Sequence, residues 1–417
     1  MIKNRTAILV LLTGLNLLNY VDRMIVAAVL PQLIAPATKG GLGLSNGEAG
    51  FLATAFLIGY FVTSPLFGTR ADKGARKGLI ALGVAVWSIA TVASGVADGF
   101  ALMIVARVVV GVGEASYATL APTIIDDLTP PERKGRALAI FYLAIPVGSA
   151  LGYVIGGQIA AAWGWRAAFY ICGGPGLVLA LTCLLIAEPA RKLRDARGSV
   201  VEGLRTLSRI PLFRRAVLGY CAYTAAMGAF AHWAPTFISE RFPHELTLAS
   251  ANTWFGATTI LAGIIGTIVG GRWADWTQRH HPVDAETSFD SPANKRGVNA
   301  LLRICAIGMV WAAPLAAAAF LMPTPITFFA VAFFAEIGLF LSTSPVNAIG
   351  LRTVPPELRA SAMAAMIFAI HLFGDVWSPY ALGGLRDVVE PIAAMMLLPI
   401  TFAVSALWWW PRKAEER

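Results

Sequence analysis

Six charged side chains interrupt long apolar stretches of this sequence, and their chemistry most needs an explanation. An ionised group near the centre of a bilayer costs roughly 2.5 to 3.5 kcal/mol on insertion scales, so it is rarely kept without a task. Such groups can pair with one another, exchange protons or bind a charged ligand. They are Asp22, Arg23, Arg107, Glu114, Glu336 and Asp375.

The apolar stretch that begins at Ala7 also carries uncharged polar residues. At 3.6 residues per turn most of its polar side chains fall on one broad stripe, which predicts a helix that faces a watery cavity. We expect Asn16, Asn19 and Tyr20 to line that cavity. The full stripe is Thr13, Asn16, Asn19, Tyr20, Asp22 and Arg23.

A second helix carries Arg107 and Glu114 on one face. The two residues are separated by two turns, roughly 10 Å along the axis. Counting inward from the ends of both helices, we expect Asp22 to pair with Arg107. A displacement of about four residues, roughly 6 Å, would instead favour Arg23 with Glu114.

The second half of the chain carries its own ionisable residues. His371 and Asp375 are four positions apart on one face of a helix, and Glu336 lies in an earlier apolar stretch. Histidine titrates near physiological pH, and several carboxylates share the apolar region with few cations. We therefore expect Asp22, Glu114, His371 and Asp375 to take part in proton coupling, with Arg23 and Arg107 in the same polar network. The alternative is permanent ion pairs that only fix helix register.

The composition excludes a soluble protein. The 417 residues are 57% apolar and 14% charged, whereas soluble domains carry roughly a quarter charged residues. The net charge of +9 does not indicate a nucleic-acid partner, because the basic residues lie in short loops. The four cysteines lack CxxC or Cys/His spacing and are interpreted as packing residues. No Walker A sequence, metal cluster or Ser/His/Asp arrangement is evident, so we expect neither an enzyme nor a cofactor.

Charge clusters and Pro/Gly turns divide the sequence into twelve apolar segments, each near the roughly 20 residues that a spanning helix needs. Continuous apolar character predicts helices rather than barrel strands. We predict an all-α integral membrane protein with one bundle in 1–187, a cytoplasmic linker in 188–213 and a second bundle in 214–417. The segments are 7–30, 48–69, 78–97, 100–126, 137–161, 166–187, 214–238, 250–273, 298–320, 325–349, 360–383 and 391–410.

The distribution of basic residues predicts the topology. With both termini in the cytoplasm, 27 of the 33 Lys and Arg residues lie in cytoplasmic loops or near the cytoplasmic ends of spans, four lie in outer loops or near outer ends, and two, Arg23 and Arg107, lie deeper within spans. This asymmetry follows the positive-inside pattern. We predict a multi-pass protein of the cell (inner) membrane with both termini cytoplasmic.

Two sequence echoes indicate duplicated halves. The run Thr129-Pro-Pro-Glu-Arg133 returns as Val354-Pro-Pro-Glu-Leu-Arg359, and Gly68-Thr-Arg-Ala-Asp72 returns as Gly271-Arg-Trp-Ala-Asp275. Duplicated halves are typical of secondary transporters, whose substrate site lies between the halves near the midplane.

The run from Gly68 to Lys77 combines a glycine, a carboxylate and a basic cluster. A carboxylate here can accept N–H groups at a neighbouring helix start, and Arg76 can pair with either of two nearby aspartates. Such contacts would hold the cytoplasmic side closed, whereas a solvated basic loop is the alternative. The residues of this conformational motif are Gly68, Asp72, Lys73, Gly74, Arg76, Asp126 and Asp127.

The same run resembles the loop signature of the major facilitator superfamily. Three further motifs resemble the Spinster family of lysolipid and sphingolipid transporters: Asn19-Tyr20-Val21-Asp22-Arg23, Gly111-Val-Gly-Glu114-Ala-Ser-Tyr117-Ala-Thr-Leu-Ala-Pro122 and Phe141-Tyr142-Leu-Ala-Ile-Pro146-Val-Gly148-Ser-Ala-Leu-Gly152-Tyr153.

The resemblance implies the major facilitator fold, with twelve transmembrane helices in two pseudo-symmetric six-helix bundles, and alternating access linked to protons. It also implies an amphiphilic substrate such as a lysophospholipid or a sphingolipid. We expect Glu114, Tyr117 and Glu336 to join the cavity residues of the first helix. Compact loops indicate a bacterial member.

Two other functions remain open. Arg107-Val-Val-Val-Gly111 also resembles the fourth-span motif of drug or metabolite:proton antiporters. A membrane lipid receptor that does not move its ligand is disfavoured by the duplicated halves. We expect a monomer whose partners are an amphiphilic lipid-like substrate, protons and the bilayer.

Overall fold

A computed structural model describes residues 2–71, 76–130, 133–187, 200–280, 290–355 and 358–412. Within these ranges the chain is almost entirely α-helical, and the β-structure among them is one isolated bridge between Ile2 and Ile186. The all-α prediction is confirmed.

The α-helices are α1 (Arg5–Ile34), α2 (Asn46–Ala71), α3 (Arg76–Gly95), α4 (Phe100–Leu128), α5 (Lys134–Trp163), α6 (Trp165–Leu184), α7 (Val200–Arg209), α8 (Pro211–Arg241), α9 (Leu248–His280), α10 (Pro292–Leu321), α11 (Pro325–Leu341), α12 (Thr343–Arg352), α13 (Arg359–Ile370), α14 (Ser378–Arg386), α15 (Pro391–Met395) and α16 (Leu397–Trp409). A π-helical turn, His371–Asp375, follows α13.

Eleven helical segments of the described chain are long and apolar enough to cross a membrane. Consecutive shorter helices combine into three of them: α11 with α12, α13 with α14, and α15 with α16. The predicted span 214–238 lies on α8, which is not among the eleven and carries charged residues at both ends. Backbone groups in lipid must be satisfied within the segment, and helices meet that requirement.

Local capping residues fix where several helices begin. The Asn4 side chain accepts the N–H groups of Thr6 and Ala7 at 2.9 and 3.3 Å. At the start of α2 the Ser45 hydroxyl accepts the Glu48 N–H at 3.1 Å, and the Glu48 carboxylate accepts the Ser45 N–H at 2.9 Å. This reciprocal capping box satisfies N–H groups that have no partner inside the helix.

The contacts divide the chain into two compact units. The first contains α1 to α6 together with His232–Ala257 and Gly383–Asp387, and the second contains the described parts of Asp195–Ala231, Thr258–Leu382 and Val388–Arg417. In the predicted linker, residues 188–199 lie outside the described part of the chain, while α7 and the start of α8 form its remainder.

Glycine permits close helix packing in the first unit, where α1 packs on α5 and α2 packs on α4. A Cβ atom added at Gly111 of α4 would lie 2.0 Å from the Phe56 carbonyl oxygen of α2. One added at Gly148 of α5 would lie 2.6 Å from the Leu17 carbonyl oxygen of α1. Such small-residue contacts let helix backbones approach in a membrane. They hold α1 and α4, which carry the charges, against their neighbours.

Large aromatic side chains contribute to the mainly aliphatic interior of the first unit. Trp87, Tyr117 and Phe141 are fully buried there, and the Trp87 and Tyr117 rings meet edge to face with centroids 5.6 Å apart. All four cysteines are buried and free. This confirms their interpretation as packing residues.

Candidate functional site

The central feature of the first unit is an ion pair between the partly exposed Arg23 of α1 and the buried Glu114 of α4. Nη2 of Arg23 lies 2.8 Å from Oε2 of Glu114, and the Glu114 side chain is fully buried. The expected pair of Asp22 with Arg107 was wrong, because Arg107 forms no ion pair with a described residue. Asp22 and Arg23 point about 100° apart around α1, and it is the long Arg23 side chain that reaches α4.

Aromatic rings surround the Arg23 guanidinium. Its Cζ atom lies 4.7 Å from the ring centroids of both Tyr20 and Phe56 and 5.6 Å from that of Tyr60. Cations are attracted to aromatic faces at such distances, most strongly where water is excluded. The rings therefore help Glu114 to hold this cation inside an apolar bundle.

Asp22 and Arg107 lie in the same region with fewer partners. Both are almost completely buried, at 0% and 2% exposure. Glu114 and Arg107 act electrostatically on Asp22, and the Trp87 indole lies near it. Among the described residues, however, neither Asp22 carboxylate oxygen forms a hydrogen bond of standard geometry.

Arg107 is also incompletely satisfied. Its Cζ atom lies 5.0 Å from the Phe56 ring centroid. Its Nε and Nη1 atoms have no hydrogen-bond acceptor in the described chain, and the second oxygen of Glu114 has no donor there. A buried network with unused donors and acceptors is costly unless water, a proton or a ligand completes it.

The other predicted cavity residues of the first unit fall into two groups. Tyr20 is partly exposed beside Arg23, and Asn19 lies beside Glu114. In contrast, Asn16 donates to the Phe141 carbonyl at 2.9 Å and Tyr117 donates to the Leu12 carbonyl. Both of these residues are buried, and their polar atoms bind neighbouring helices.

The predicted site residues of the second unit form two separate groups. His371 Nδ1 lies 2.9 and 3.0 Å from the two carboxylate oxygens of Asp375, within the π-helical turn. Both side chains are partly buried. Glu336 is almost fully buried on α11, and its Oε1 accepts from the Thr259 hydroxyl at 3.3 Å.

The loop motif is described only in part. Gly68 lies near the end of α2, while Asp72, Lys73 and Gly74 lie outside the described residues. Arg76 Nη1 lies 2.6 Å from Asp127 Oδ2 and 3.1 Å from the Thr123 hydroxyl. Asp126 instead pairs with Lys134 at 2.7 Å. Of the two aspartates that the sequence allowed as partners, Arg76 pairs with Asp127.

A group of polar contacts in the first unit was not predicted. The Asp387 carboxylate accepts from the Asn46 N–H, the Asn46 side-chain amide and the Gly47 N–H at 2.8 to 2.9 Å. Arg386 donates to Glu240 and lies over the Trp233 ring.

The same group includes two contacts from the segment His232–Ala257. Asn252 donates to the Ala28 carbonyl at 2.9 Å, and a ring nitrogen of His232 lies 3.1 Å from the Ala49 carbonyl. No spacing in the sequence links residues so far apart. The only available signal was the Arg386-Asp387 pair at the end of an apolar stretch.

Comparison with known proteins identifies the family. A family model described as Major Facilitator Superfamily matches residues 12–379. The "Probable sphingolipid transporter spinster homolog 2" of Arabidopsis thaliana is 31% identical, covering 94% of this chain and 84% of that protein. The chain belongs to the Spinster family of the major facilitator superfamily.

Other Spinster proteins agree with this assignment. "Protein spinster homolog 1" of Bos taurus is 33% identical, covering 91% of this chain and 72% of that protein. "Protein spinster" of Drosophila melanogaster is 32% identical over 90% of this chain, which spans 60% of that protein's length.

Solved structures support the fold. A crystal structure of a bacterial homologue of the human lysosomal transporter Spinster, inward-facing and unoccupied, superposes with a TM-score of 0.81 at 22% identity, covering 98% of this chain and 97% of that one. The nucleoside transporter NupG gives a TM-score of 0.73 at 14% identity, covering 96% and 98%. The predicted major facilitator fold is confirmed. This Spinster-family chain is a multi-pass membrane protein with the family and fold of transporters rather than enzymes.

Asp127→Asn is expected to destabilise this Spinster-family protein by about 3 kcal/mol. The substitution leaves the buried Arg76 cation without its carboxylate partner. The matched control is Asp126→Asn, whose partner Lys134 is 26% exposed and whose own side chain is 32% exposed. Exposed pairs contribute at most about 1 kcal/mol. Unfolding of the two variants in the same detergent measures the difference, and equal losses would contradict the assigned pairing.

A pH dependence is expected at Asp387. Partial burial by itself would raise the pKa of Asp387. Hydrogen bonds from the Gly47 N–H and from the side-chain amide and N–H of Asn46 lower it, as does the positive charge of Arg386. These favourable contacts outweigh burial, so the pKa lies below its ordinary value. The folded state therefore binds fewer protons than the unfolded state. The contribution of Asp387 to stability is complete above about pH 4, the unfolded pKa, and is lost as pH falls through the folded value.

The corresponding measurement compares melting of wild type and Asp387→Asn from pH 3 to pH 7. The difference should be at most about 1 kcal/mol at neutral pH, since the side chain is solvent-screened, and should shrink in acid. Glu390→Gln, at an exposed acid nearby, serves as the control. A difference that is constant across this range would contradict the role of the carboxylate charge.

Proposed function

We propose that this Spinster-family protein is a proton-coupled secondary transporter that moves an amphiphilic, lysophospholipid- or sphingolipid-like substrate by alternating access. The observation that carries the proposal is the Arg23–Glu114 pair at 2.8 Å, in which Glu114 is fully buried, with Asp22 and Arg107 buried beside it. Charges are retained at such depth where they bind ions or substrate.

Protonation of Glu114 is the step that would couple this pair to a gradient. Ionised, the carboxylate neutralises Arg23. When Glu114 is protonated, the Arg23 guanidinium keeps its positive charge but has only the aromatic rings beside it to stabilise that charge. An anionic headgroup would then replace Glu114 as the partner of Arg23, so that proton binding favours substrate binding. Asp22, whose carboxylate lacks a hydrogen bond in the described chain, is a second acceptor for the same proton.

The surroundings of Arg23 favour an amphiphile over a small polar solute. The guanidinium supplies a bidentate donor suited to phosphate or carboxylate, while Tyr20, Phe56 and Tyr60 supply apolar surface around it. A headgroup with an attached chain matches both parts. The name of the Arabidopsis relative, which refers to sphingolipid transport, points to the same class of substrate.

Alternating access is supported by polar contacts near the helix ends of the first unit. The Arg76–Asp127 pair lies at the start of α3 and the end of α4. The Asp387 contacts lie at the start of α2. Contacts of an exposed carboxylate such as Asp387 contribute at most about 1 kcal/mol, so they can form in one state and break in another at modest cost. We place the protein in the bacterial inner membrane with both termini in the cytoplasm.

Uptake into proteoliposomes tests this proposal. A fluorescent lysophospholipid should accumulate when a pH gradient is imposed and not when an ionophore collapses the gradient. Competition should come from unlabelled lysolipid and not from a nucleoside or another hydrophilic metabolite. Competition by the metabolite alone would favour the rival metabolite:proton antiporter, and binding without counterflow would favour a receptor.

A further inference from the structure

Glu336 is an isolated acid in the second unit. It is the only Asp, Glu, Lys, Arg or His residue between Arg303 and Arg352. Its side chain is almost fully buried on α11. The apolar part of the neighbouring helix α9, from Leu248 to Gly271, also contains no charged residue.

Glu336 contributes to the wall of a small apolar cavity. The space open to a water-sized sphere is about 20 Å³, which is room for about one water molecule. Four phenylalanines contribute to its wall, and Glu336 is the only residue with a polar side chain in the lining. The aromatic residues are Phe230, Phe320, Phe328 and Phe402.

The carboxyl has little to stabilise a negative charge. Oε1 accepts one long hydrogen bond, 3.3 Å, from the Thr259 hydroxyl. Oε2 is buried and has no hydrogen-bond partner in the described chain. An ionised carboxylate moved into such surroundings pays a large desolvation penalty, and a group in this position normally takes up a proton instead.

The described lining of the cavity contains no cation that would offset that penalty. Glu336 interacts electrostatically with Tyr223 of α8, and Thr259 of α9 contributes only its hydroxyl. The apolar part of α10 contributes the thiol Cys305, and α16 contains no titratable residue. The titratable groups named here besides Glu336, a phenol and a thiol, are neutral in their ordinary protonation states.

We infer that Glu336 is a proton-binding site of the second unit, distinct from the Asp22 and Glu114 carboxylates of the first, and that it carries its proton at neutral pH. A metal cation does not fit, because hard cations take six or more oxygen ligands and Glu336 is the only residue with a side-chain oxygen in the described lining. The inference concerns proton occupancy and stands whether or not transport is coupled to protons.

Infrared difference spectroscopy tests this site in the purified full-length protein reconstituted in nanodiscs. Protonated carboxylic acids and carboxylates absorb at separate frequencies. Subtracting the Glu336→Gln spectrum from the wild-type spectrum at pH 7 should leave a carboxylic-acid carbonyl band that shifts in D2O. Asp22 and Glu114 are present in both samples and cancel. A carboxylate band in this difference would overturn the inference.

Chemical labelling of the wild type provides a measurement that does not require the variant to fold. Dicyclohexylcarbodiimide reacts with protonated carboxyls in apolar surroundings: the acid proton passes to a reagent nitrogen, and the carboxyl oxygen bonds to the central carbon. The O-acylisourea rearranges to an N-acylurea without loss of atoms. Peptide mapping at pH 7 should find the adduct on Glu336 and not on the exposed acids Glu245 and Glu390.

Two controls make the result decisive. Glu336→Gln matches the shape of the neutral acid, so its melting temperature should stay within about 2 °C of wild type. A much larger fall would indicate that an ionised Glu336 stabilises the protein and would contradict the inference. The labelling is repeated in a detergent that loosens the helix bundle and admits the reagent. If Glu336 then reacts no faster than Glu245 at pH 7, the inference is contradicted as well.

Discussion

Glu114→Gln is expected to reduce pH-gradient-driven uptake of a lysophospholipid by about tenfold or more, the equivalent of losing one charge-assisted hydrogen bond. Glutamine keeps the size of the side chain and its oxygen acceptor, but it neither neutralises Arg23 nor binds and releases a proton. Uptake rates into proteoliposomes with an imposed gradient measure the effect.

Exchange of labelled for unlabelled substrate without a gradient should be retained in Glu114→Gln, because this variant mimics the protonated carrier. Glu245→Gln, at an exposed position far from the pair in sequence, is the matched control and should transport like wild type. Full gradient-driven uptake by Glu114→Gln would show that this carboxylate does not couple transport to protons.

The second large effect is expected in stability, from a double-mutant cycle on the same pair. Arg23→Ala should destabilise the protein by about 3 to 5 kcal/mol, because it leaves the fully buried Glu114 charge without its partner. Glu114→Ala should cost less, because the Arg23 side chain that it leaves unpaired is 21% exposed. The double variant removes both charges and should lose much less than the sum. We expect an interaction energy of at least about 2 kcal/mol from unfolding in one detergent.

The Lys134–Asp126 pair supplies the comparison for this cycle. It has a similar N to O distance, 2.7 Å against 2.8 Å, and a cation of similar exposure, 26% for Lys134 against 21% for Arg23. Its carboxylate differs, because Asp126 is 32% exposed whereas Glu114 is fully buried. Its interaction energy should be no more than about 1 kcal/mol. Equal energies for the two cycles would mean that burial does not strengthen the Arg23–Glu114 interaction.

Much of the candidate site could be predicted from residue types and spacing. Asp22, Arg23, Arg107 and Glu114 are conspicuous because charges are scarce in apolar stretches, and all four are buried or partly buried in one unit. Arg76 was expected to meet one of two aspartates and meets Asp127. Helical periodicity and the cost of buried charge are enough for predictions of this kind.

The partners within the site could not be predicted in the same way. Choosing between Arg23–Glu114 and Asp22–Arg107 requires the relative height of α1 and α4 to within about one turn, roughly 5 Å. The ends of apolar segments do not define that height. Gly148 brings the backbone of α5 against α1 at Leu17, and Gly111 brings the backbone of α4 against α2 at Phe56. Packing at such positions sets the height of each helix relative to its neighbour.

The sequence by itself therefore determined that the chain lies in a membrane, that it is helical, which family it resembles and which charged residues matter. These properties depend on composition, local periodicity and sequence motifs. Only the tertiary structure decided that Arg23 pairs with Glu114, that Tyr117 and Asn16 bind neighbouring helices, and that Asp387 caps α2. Those outcomes depend on which helix faces meet at which height. Side-chain packing between segments far apart in the chain controls that geometry, and no local pattern encodes it.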